Sequence, residues 1–256
     1  MKITFIGHGY VGLVTASIFA DLGNVVNVIG HTEEKIKNLR QGILPIFEPG
    51  LEEIVKRNVK AKRLFFSLDY DSVADADVVF IAVGTPPKKT GEADLSTVFH
   101  VAETLAVNLN GYTVVVTKST VPVGTNKKIE ELIGGKKPQK AEFNVASIPE
   151  FLREGSAIRD TLHPDRVVIG TESKKARDIL IELHKPIDGQ LVLTNCQTAE
   201  MVKYASNSFL ATKISFANAI ARLSELTGAD GVKVLAGMGF DRRIGKEFLY
   251  AGLGYG

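Results

Sequence analysis

Three glycines near the beginning of the chain, Gly7, Gly9 and Gly12, have the spacing of a backbone turn that binds phosphate groups. Gly7 would permit the turn, Gly9 would let the backbone approach a phosphate, and Gly12 would let a helix lie close to the preceding strand. Tyr10 and Val11 would begin that helix, whose first N–H groups attract anions. The segment predicts a dinucleotide site; the alternative is a plain strand–turn–helix connection with glycines placed by chance.

The end of the second predicted strand departs from the usual dinucleotide pattern. An Asp or Glu normally ends this strand, about twenty residues after the glycines, and binds the ribose 2′-hydroxyl. Here the strand at 25–29 ends in Gly30, His31 and Thr32, with Lys35 close by. NAD is the expected cofactor of this glycine pattern, but the carboxylate that repels a 2′-phosphate is missing here, so NADP stays open.

The elements that must position these residues alternate along the chain in the order of an α/β fold. Apolar runs predict strands at 2–6, 25–29, 64–67, 77–83, 113–117, 143–147, 167–170 and 190–193. Helical patterns lie between them at 10–22, 33–41, 51–56, 96–109, 125–133 and 174–184. Residues 148–165 are expected to be a long charged loop. The prediction is a Rossmann-type, doubly wound parallel sheet over residues 1–195.

A different pattern begins after residue 194. Residues 198–227 have a helical apolar period without Gly or Pro, and Gly228 would end the helix. Further helices are expected at 232–236 and 245–251. Residues 196–256 are therefore predicted to form a long central helix and the start of a helical dimerisation domain, with a homodimer through the long helix.

Composition excludes several classes of protein. The 256 residues carry a net charge of +2, which gives no electrostatic reason to expect nucleic acid or an anionic membrane as partner. No charge-free apolar run approaches bilayer length. The single cysteine, Cys196, excludes an intrachain disulfide and fits a reducing cytoplasm. No metal site is predicted.

Seven ordered blocks resemble the UDP-glucose 6-dehydrogenases of the nucleotide-sugar dehydrogenase superfamily over essentially the whole chain. The blocks are GHGYVGLVTA, VGTPPKKTGEADLS, KSTVPVGT, PEFLREGSAIRD, HPDRVVIG, AEMVKYASNSFLATKISFAN and RIGKEFLYAGLGYG. The resemblance implies an NAD-dependent, two-step oxidation of UDP-glucose to UDP-glucuronate, a precursor in polysaccharide biosynthesis.

The resemblance also implies roles for residues. The implied cofactor-binding positions are Gly7, Gly9, Tyr10, Val11, Gly12, Gly30, Lys35, Thr85, Thr120 and Glu154. The implied catalytic positions are Thr120, Glu150, Glu154, Lys203 and Asn207. The implied substrate-binding positions are Glu150, Phe151, Leu152, Arg153, Glu154, Lys203, Asn207, Arg243, Phe248, Leu249, Tyr250, Ala251, Gly252 and Gly256. Taken alone, the two glutamates would be surface carboxylates and Lys203 a solvated helix residue.

Two departures from the family pattern concern activity. The family's nucleophilic cysteine and its carboxyl-terminal UDP-binding domain would follow Gly256, so the chain is expected to be truncated and unable, alone, to complete the oxidation to the acid. Cys196 is expected to be a small packed residue instead of that nucleophile. The alternatives are a non-catalytic fragment that binds dinucleotide or dimerises, and a relative acting on another nucleotide sugar.

Overall fold

The chain divides into two compact units, Met1–Met201 and Val202–Gly256, and the computed structural model describes residues 1–253 of it. All strands of the described residues lie in the first unit. These are β1 (Lys2–Ile6), β2 (Val25–Ile29), β3 (Leu64–Ser67), β4 (Val78–Ile81), β5 (Tyr112–Thr117), β6 (Glu142–Ser147), β7 (Arg166–Gly170) and β8 (Gln190–Thr194). Within residues 1–253, no helix is long and apolar enough to cross a bilayer.

The helices of the first unit connect these strands. They are α1 (Tyr10–Asp21), α2 (Glu33–Arg40), α3 (Leu51–Lys60), α4 (Ser96–Asn108), α5 (Thr125–Lys136), α6 (Ala157–Leu162) and α7 (Lys174–His184). The long helix α8 (Cys196–Thr227) begins in the first unit and continues into the second, where α9 (Gly231–Gly239) follows.

The eight strands form one sheet in the order β3-β2-β1-β4-β5-β6-β7-β8. The β6–β7 pair is antiparallel at Ser147 and Gly170, and the other pairs are parallel. Strand order reverses between β1 and β4, and ligands of open α/β sheets bind outside the carboxyl ends of the strands at such a point. The predicted α/β doubly wound fold and the long helix are confirmed.

Helices cover both faces of the sheet, which explains the uninterrupted apolar runs of its central strands. One core packs residues of α1, α3, α6 and α7 against the sheet, and the other packs α4 and α5. In the second unit, a smaller core joins Ala217 of α8 to Leu235 of α9 and to Leu249.

Two local predictions are wrong. Residues 148–165 are not all loop, because α6 forms at Ala157–Leu162. Residues 245–251 form turns instead of a helix. Gly245 has φ +71° and Phe248 has φ +59°, and this left-handed backbone cannot continue a right-handed helix.

Candidate active site

The glycine turn lies at the carboxyl end of β1, beside the point where strand order reverses. Gly7 has φ +119°, and a Cβ there would lie 2.3 Å from the carbonyl oxygen of Ala82. A Cβ on Gly12 would lie 2.2 Å from the carbonyl oxygen of Gly7. A Cβ on Gly9 would meet no protein atom within 4 Å. Packing therefore requires glycine at two positions, whereas Gly9 leaves open space.

That open space fits a dinucleotide. Gly9 is also the N-cap of α1, and no side chain caps this helix start. The first N–H groups of α1 and the positive end of its dipole therefore face the open space beside Gly9, and such helix starts bind the phosphates of dinucleotides. The residues present fit the cofactor that the sequence predicts.

The loops after β4 and β5 meet beside this turn. The Thr85 hydroxyl donates a hydrogen bond of 2.8 Å to the carbonyl oxygen of Thr120. The Ser119 hydroxyl donates a hydrogen bond of 2.6 Å to the carbonyl oxygen of Val83. The structure thus brings Thr85 and Thr120 together at adjacent strand ends, and their roles as cofactor contacts stay predictions.

Glu48, which the sequence interpretation missed, ties the loop after β6 to the start of α1. Its carboxylate is 5% exposed and accepts a hydrogen bond from the Tyr10 hydroxyl. It also accepts hydrogen bonds from the N–H groups of Gly155, at 2.9 Å, and Ala157, at 2.8 Å. Burial and the bond to Glu48 raise the pKa of Tyr10 to about 12, so the phenol stays protonated and donates.

The loop 150–154 is shaped by contacts of its own. The N–H of Leu152 donates to Glu150 Oε2 at 2.7 Å. The Arg153 guanidinium donates to both carboxylate oxygens of Asp160, at 3.0 and 2.7 Å, and the Arg166 guanidinium lies 3.8 Å from the centre of the Phe151 ring.

Glu154, the next residue of this loop, is exposed. The Arg153 bond is the main cause that holds the pKa of Asp160 below its usual value. A held loop therefore presents Glu154 to solvent, and its catalytic role stays a prediction.

His8, which the dinucleotide pattern does not specify, packs against Gly30 at the end of β2. A Cβ on Gly30 would lie 2.8 Å from His8 Nδ1 and 2.6 Å from Ile36 Cδ1. His8 is 6% exposed, and its ring centre lies 5.3 Å from that of His31. Burial, with smaller contributions from His31 and Lys35, lowers the pKa of His8. Lys35 is exposed on α2.

Cys196 behaves as the packed residue that the sequence predicts. Its Sγ lies 3.3 Å from the carbonyl oxygen of Gly170, and burial raises the pKa of the thiol to about 12. A thiol that stays protonated at neutral pH is a poor nucleophile.

One turn further along α8, Glu200 is 2% exposed and caps α5. It accepts hydrogen bonds of 2.7 Å from the Gly124 N–H and 2.8 Å from the Asn126 N–H. Like Glu48, it gave no local signal in the sequence.

In the second unit, Lys203 and Asn207 occupy one face of α8, one turn apart. Lys203 is only 5% exposed, so the expectation of a solvated helix residue is wrong. Asn207 is exposed. The Asn218 amide binds the Gly252 backbone through hydrogen bonds of 2.9 and 2.8 Å. These bonds hold the end of the loop 248–252 against α8.

Arg243 and two aromatic residues of the loop 248–252 make other contacts. The Arg243 guanidinium, 89% exposed, pairs with Asp241 at 2.7 Å. The Phe248 and Tyr250 rings stack with centres 6.2 Å apart. Gly256 lies outside the described residues. The substrate-binding roles of all these residues stay predictions.

Models of known protein families match almost the whole chain. The model for the NAD binding domain of the UDP-glucose/GDP-mannose dehydrogenase family matches residues 1–188, and the model for the central domain of that family matches residues 197–256. The chain belongs to the UDP-glucose/GDP-mannose dehydrogenase family. The resemblance read from the sequence blocks is confirmed, and the glycine turn belongs to a nicotinamide dinucleotide-binding domain.

Individual members of the UDP-glucose/GDP-mannose dehydrogenase family align with the whole chain. UDP-glucose 6-dehydrogenase TuaD of Bacillus subtilis is 52% identical over 256 residues, which are 100% of this chain and 56% of that protein. UDP-glucose 6-dehydrogenase of Rhizobium meliloti is 51% identical over 263 residues, covering 100% of this chain and 60% of that protein. The chain thus spans little more than half the length of these relatives.

Solved structures of the family have the same fold. A UDP-glucose dehydrogenase from the archaeon Pyrobaculum islandicum superimposes with a TM-score of 0.95 at 41% identity, covering 99% of this chain and 60% of that one. A GDP-mannose dehydrogenase from Pseudomonas aeruginosa gives a TM-score of 0.92 at 35% identity, covering 95% of this chain and 57% of that one.

Proposed function

We propose that the chain is the amino-terminal part of a UDP-glucose 6-dehydrogenase, which oxidises UDP-glucose to UDP-glucuronate with NAD. The observation that supports it most directly is the open space beside Gly9 at the start of α1, called the cradle below. Tyr10 and Glu48 connect this helix start to the loop that carries Glu154. The names of the TuaD and Rhizobium meliloti relatives support UDP-glucose as the substrate. Gly30 lacks the carboxylate that repels a 2′-phosphate, so NADP stays open.

Oxidation of the primary alcohol to the acid removes two hydrides from its carbon, adds one molecule of water and releases two protons, so two dinucleotides are needed in turn. A bound dinucleotide supplies the hydride acceptor. Glu154, exposed on its held loop, is suited to take a proton from water, and Thr120 and Glu150 are proposed to position the reacting groups. The Lys203 ammonium and the Asn207 amide are donors suited to a developing oxyanion.

We further propose the division of labour along the chain. Residues 1–195 form the dinucleotide-binding domain, and residues 196–256 form a central helix and part of a dimerisation domain. Substrate binding is assigned to 150–154, Lys203, Asn207, Arg243, 248–252 and Gly256. The protein would act as a homodimer in the cytoplasm, the compartment that its single cysteine fits.

Titration calorimetry with NAD tests the cofactor half of this proposal. Gly9→Val should fold, because its Cβ meets no protein atom, yet it should lose NAD binding because the side chain fills the cradle. Gly134→Val is the matched control, since its Cβ also meets no atom within 4 Å and it lies exposed on α5. NAD binding by the Gly9→Val variant at wild-type affinity would refute the assignment of the cradle.

The substrate half is tested by the absorbance of reduced cofactor with UDP-glucose, GDP-mannose and UDP-N-acetylmannosamine in turn. The assay compares residues 1–256 with a form extended to the length of the relatives. Reduction of cofactor by the extended form with UDP-glucose, lowered in Glu154→Gln, is expected.

Two other functions remain as outcomes of these tests. The likeness to the Pseudomonas aeruginosa GDP-mannose dehydrogenase supports a relative acting on another nucleotide sugar, which preference for GDP-mannose would favour. The raised pKa of Cys196 supports a non-catalytic dinucleotide-binding fragment, which NAD binding without turnover in both forms would favour.

A further inference from the structure

The end of β2, where a dinucleotide fold places the ribose-binding carboxylate, is closed to an acidic side chain. The Gly30 N–H donates to the carbonyl oxygen of Ser67 at 3.0 Å, which fixes its backbone. A Cβ there would lie 2.8 Å from His8 Nδ1 and 2.6 Å from Ile36 Cδ1. The Ile36 methyl group is the end of a flexible side chain, whereas the His8 ring is buried. A side chain at position 30 would therefore clash with His8, so glycine at 30 goes together with histidine at 8.

His8 presents a ring nitrogen that has no protein partner. The side chain is 94% buried, since 6% of it is exposed, and Nδ1 is without a hydrogen bond among the described residues. Buried polar atoms are nearly always paired, because leaving one unpaired costs free energy. The unpaired nitrogen points to the position where the ribose-binding side chain would begin, so a ligand atom bound there would satisfy it.

Cationic and hydrogen-bonding groups follow directly in the chain. His31 and Lys35 are exposed, and Thr32 is the N-cap of α2 with no side-chain capping bond. The first N–H groups of this eight-residue helix lie beyond it. Glu33 and Glu34 are also exposed in its first turn, so the cluster is mixed in charge. An imidazole, a hydroxyl, an ammonium and helix N–H groups are all donors suited to a phosphate.

We infer that this cluster of His8, Gly30, His31, Thr32 and Lys35 accepts a ribose 2′-phosphate, so that the chain binds NADP as well as NAD. The inference rests on the proposed dinucleotide site. A carboxylate at 30 would bind the 2′-hydroxyl and repel the phosphate; its replacement by glycine removes that repulsion, and the flanking donors replace it with attraction.

Calorimetric titration of the whole chain with NAD and NADP, without substrate, tests the inference. We expect the two dissociation constants to agree within about tenfold, a difference of about 1.4 kcal/mol. NAD binding with NADP weaker by more than tenfold overturns this inference and leaves the proposed function intact. Binding of neither dinucleotide overturns both.

Two variants test the residues themselves. Lys35→Ala should weaken NADP about tenfold more than it weakens NAD, because it removes a charge near the 2′-phosphate. Lys37→Ala, exposed on the same helix, is the matched control and should leave the ratio unchanged. An unchanged ratio in Lys35→Ala excludes Lys35 from the site and overturns the cluster as stated.

The double variant His8→Ala with Gly30→Asp removes the ring that blocks a side chain at position 30 and introduces the ribose-binding carboxylate there. The variant should keep its affinity for NAD, whereas its affinity for NADP should fall about a hundredfold because the new carboxylate repels the 2′-phosphate. Retained NAD binding serves as the test of folding. NADP binding at the wild-type ratio in this variant would contradict the role of the β2 end.

Discussion

Single buried polar groups decide several properties of this chain, and His184 is one that titrates. It ends α7, is 4% exposed, and packs edge-on against the Phe19 ring with centres 5.4 Å apart. Its Nδ1 donates a hydrogen bond of 2.8 Å to the carbonyl oxygen of Leu180. Burial, opposed by that bond and assisted by Lys118, lowers the pKa of His184 to about 4. The folded chain therefore holds this imidazole neutral.

We expect His184 to make stability depend on pH. Between its ordinary pKa of 6.5 and about 4, the unfolded chain binds a proton at this residue and the folded chain does not. The free energy of unfolding is therefore retained above pH 6.5 and falls with acidification through this window, by about 3 kcal/mol in total. Urea denaturation of the wild type and His184→Phe across the window measures the difference.

The His184→Phe variant should show a pH dependence flatter by about that amount. His100→Phe, exposed on α4, is the control and should follow the wild type. Equal slopes for the wild type and His184→Phe would contradict the assignment.

At the scale of elements, helix starts in the first unit are held by carboxylates from distant parts of the chain. Glu200 of α8 accepts the N–H groups at the start of α5, and Glu48 accepts those before and at the start of α6. Carboxylates stabilise these positions because they satisfy unpaired N–H groups and complement the helix dipole. The loop bearing Glu154 inherits its position from this contact.

Glu48→Gln should loosen α6 and the preceding loop. A glutamine replaces an acceptor oxygen by an NH₂ donor, which faces the donors Tyr10, Gly155 and Ala157, and the loss should be about 2 kcal/mol of unfolding free energy. Hydrogen exchange resolved by mass spectrometry should rise over residues 150–162 before it rises in the sheet.

Glu52→Gln is the matched control for this change. Glu52 is exposed on α3 and bonded to Lys56, and exposed pairs of this kind contribute little. If exchange over 150–162 were the same in the wild type and Glu48→Gln, the carboxylate would not hold this loop.

At the scale of the whole molecule, α8 carries apolar side chains that the chain leaves exposed. Phe209, Phe216 and Leu223 are 64%, 47% and 55% exposed. They recur every seventh residue, and this spacing places them along one face of the helix. Exposed aromatic and aliphatic rows of this kind are typical of surfaces that bind another protein, which is the basis for the proposed homodimer.

Phe216→Glu should therefore disrupt self-association, because a charge would be buried without a partner. Light scattering coupled to size exclusion should give the mass of a dimer for the wild type and of a monomer for the variant. Ser208→Glu adds the same charge at an exposed polar position of α8 and should remain dimeric. A wild type that is monomeric at every concentration would remove the homodimer from the proposal.

The sequence by itself determined the features that depend on local pattern. The glycine turn, the long helix and the alternation of apolar runs follow from backbone freedom and from periodicity, and both are properties of short stretches of sequence. The missing carboxylate at Gly30 was also visible, because its position is fixed by distance from the glycines. The ordered blocks added the family, which the family models confirm.

Only the tertiary structure decided features whose partners are far apart in the chain. Helix α6 depends on Glu48, which lies 109 positions before Ala157, and no window of sequence joins the two. The turns at 245–251 depend on left-handed backbone at Gly245 and Phe248 that helix propensity does not reveal. The closure of Gly30 by His8 likewise requires two strand ends to be adjacent, because packing, unlike periodicity, is set by the assembled sheet.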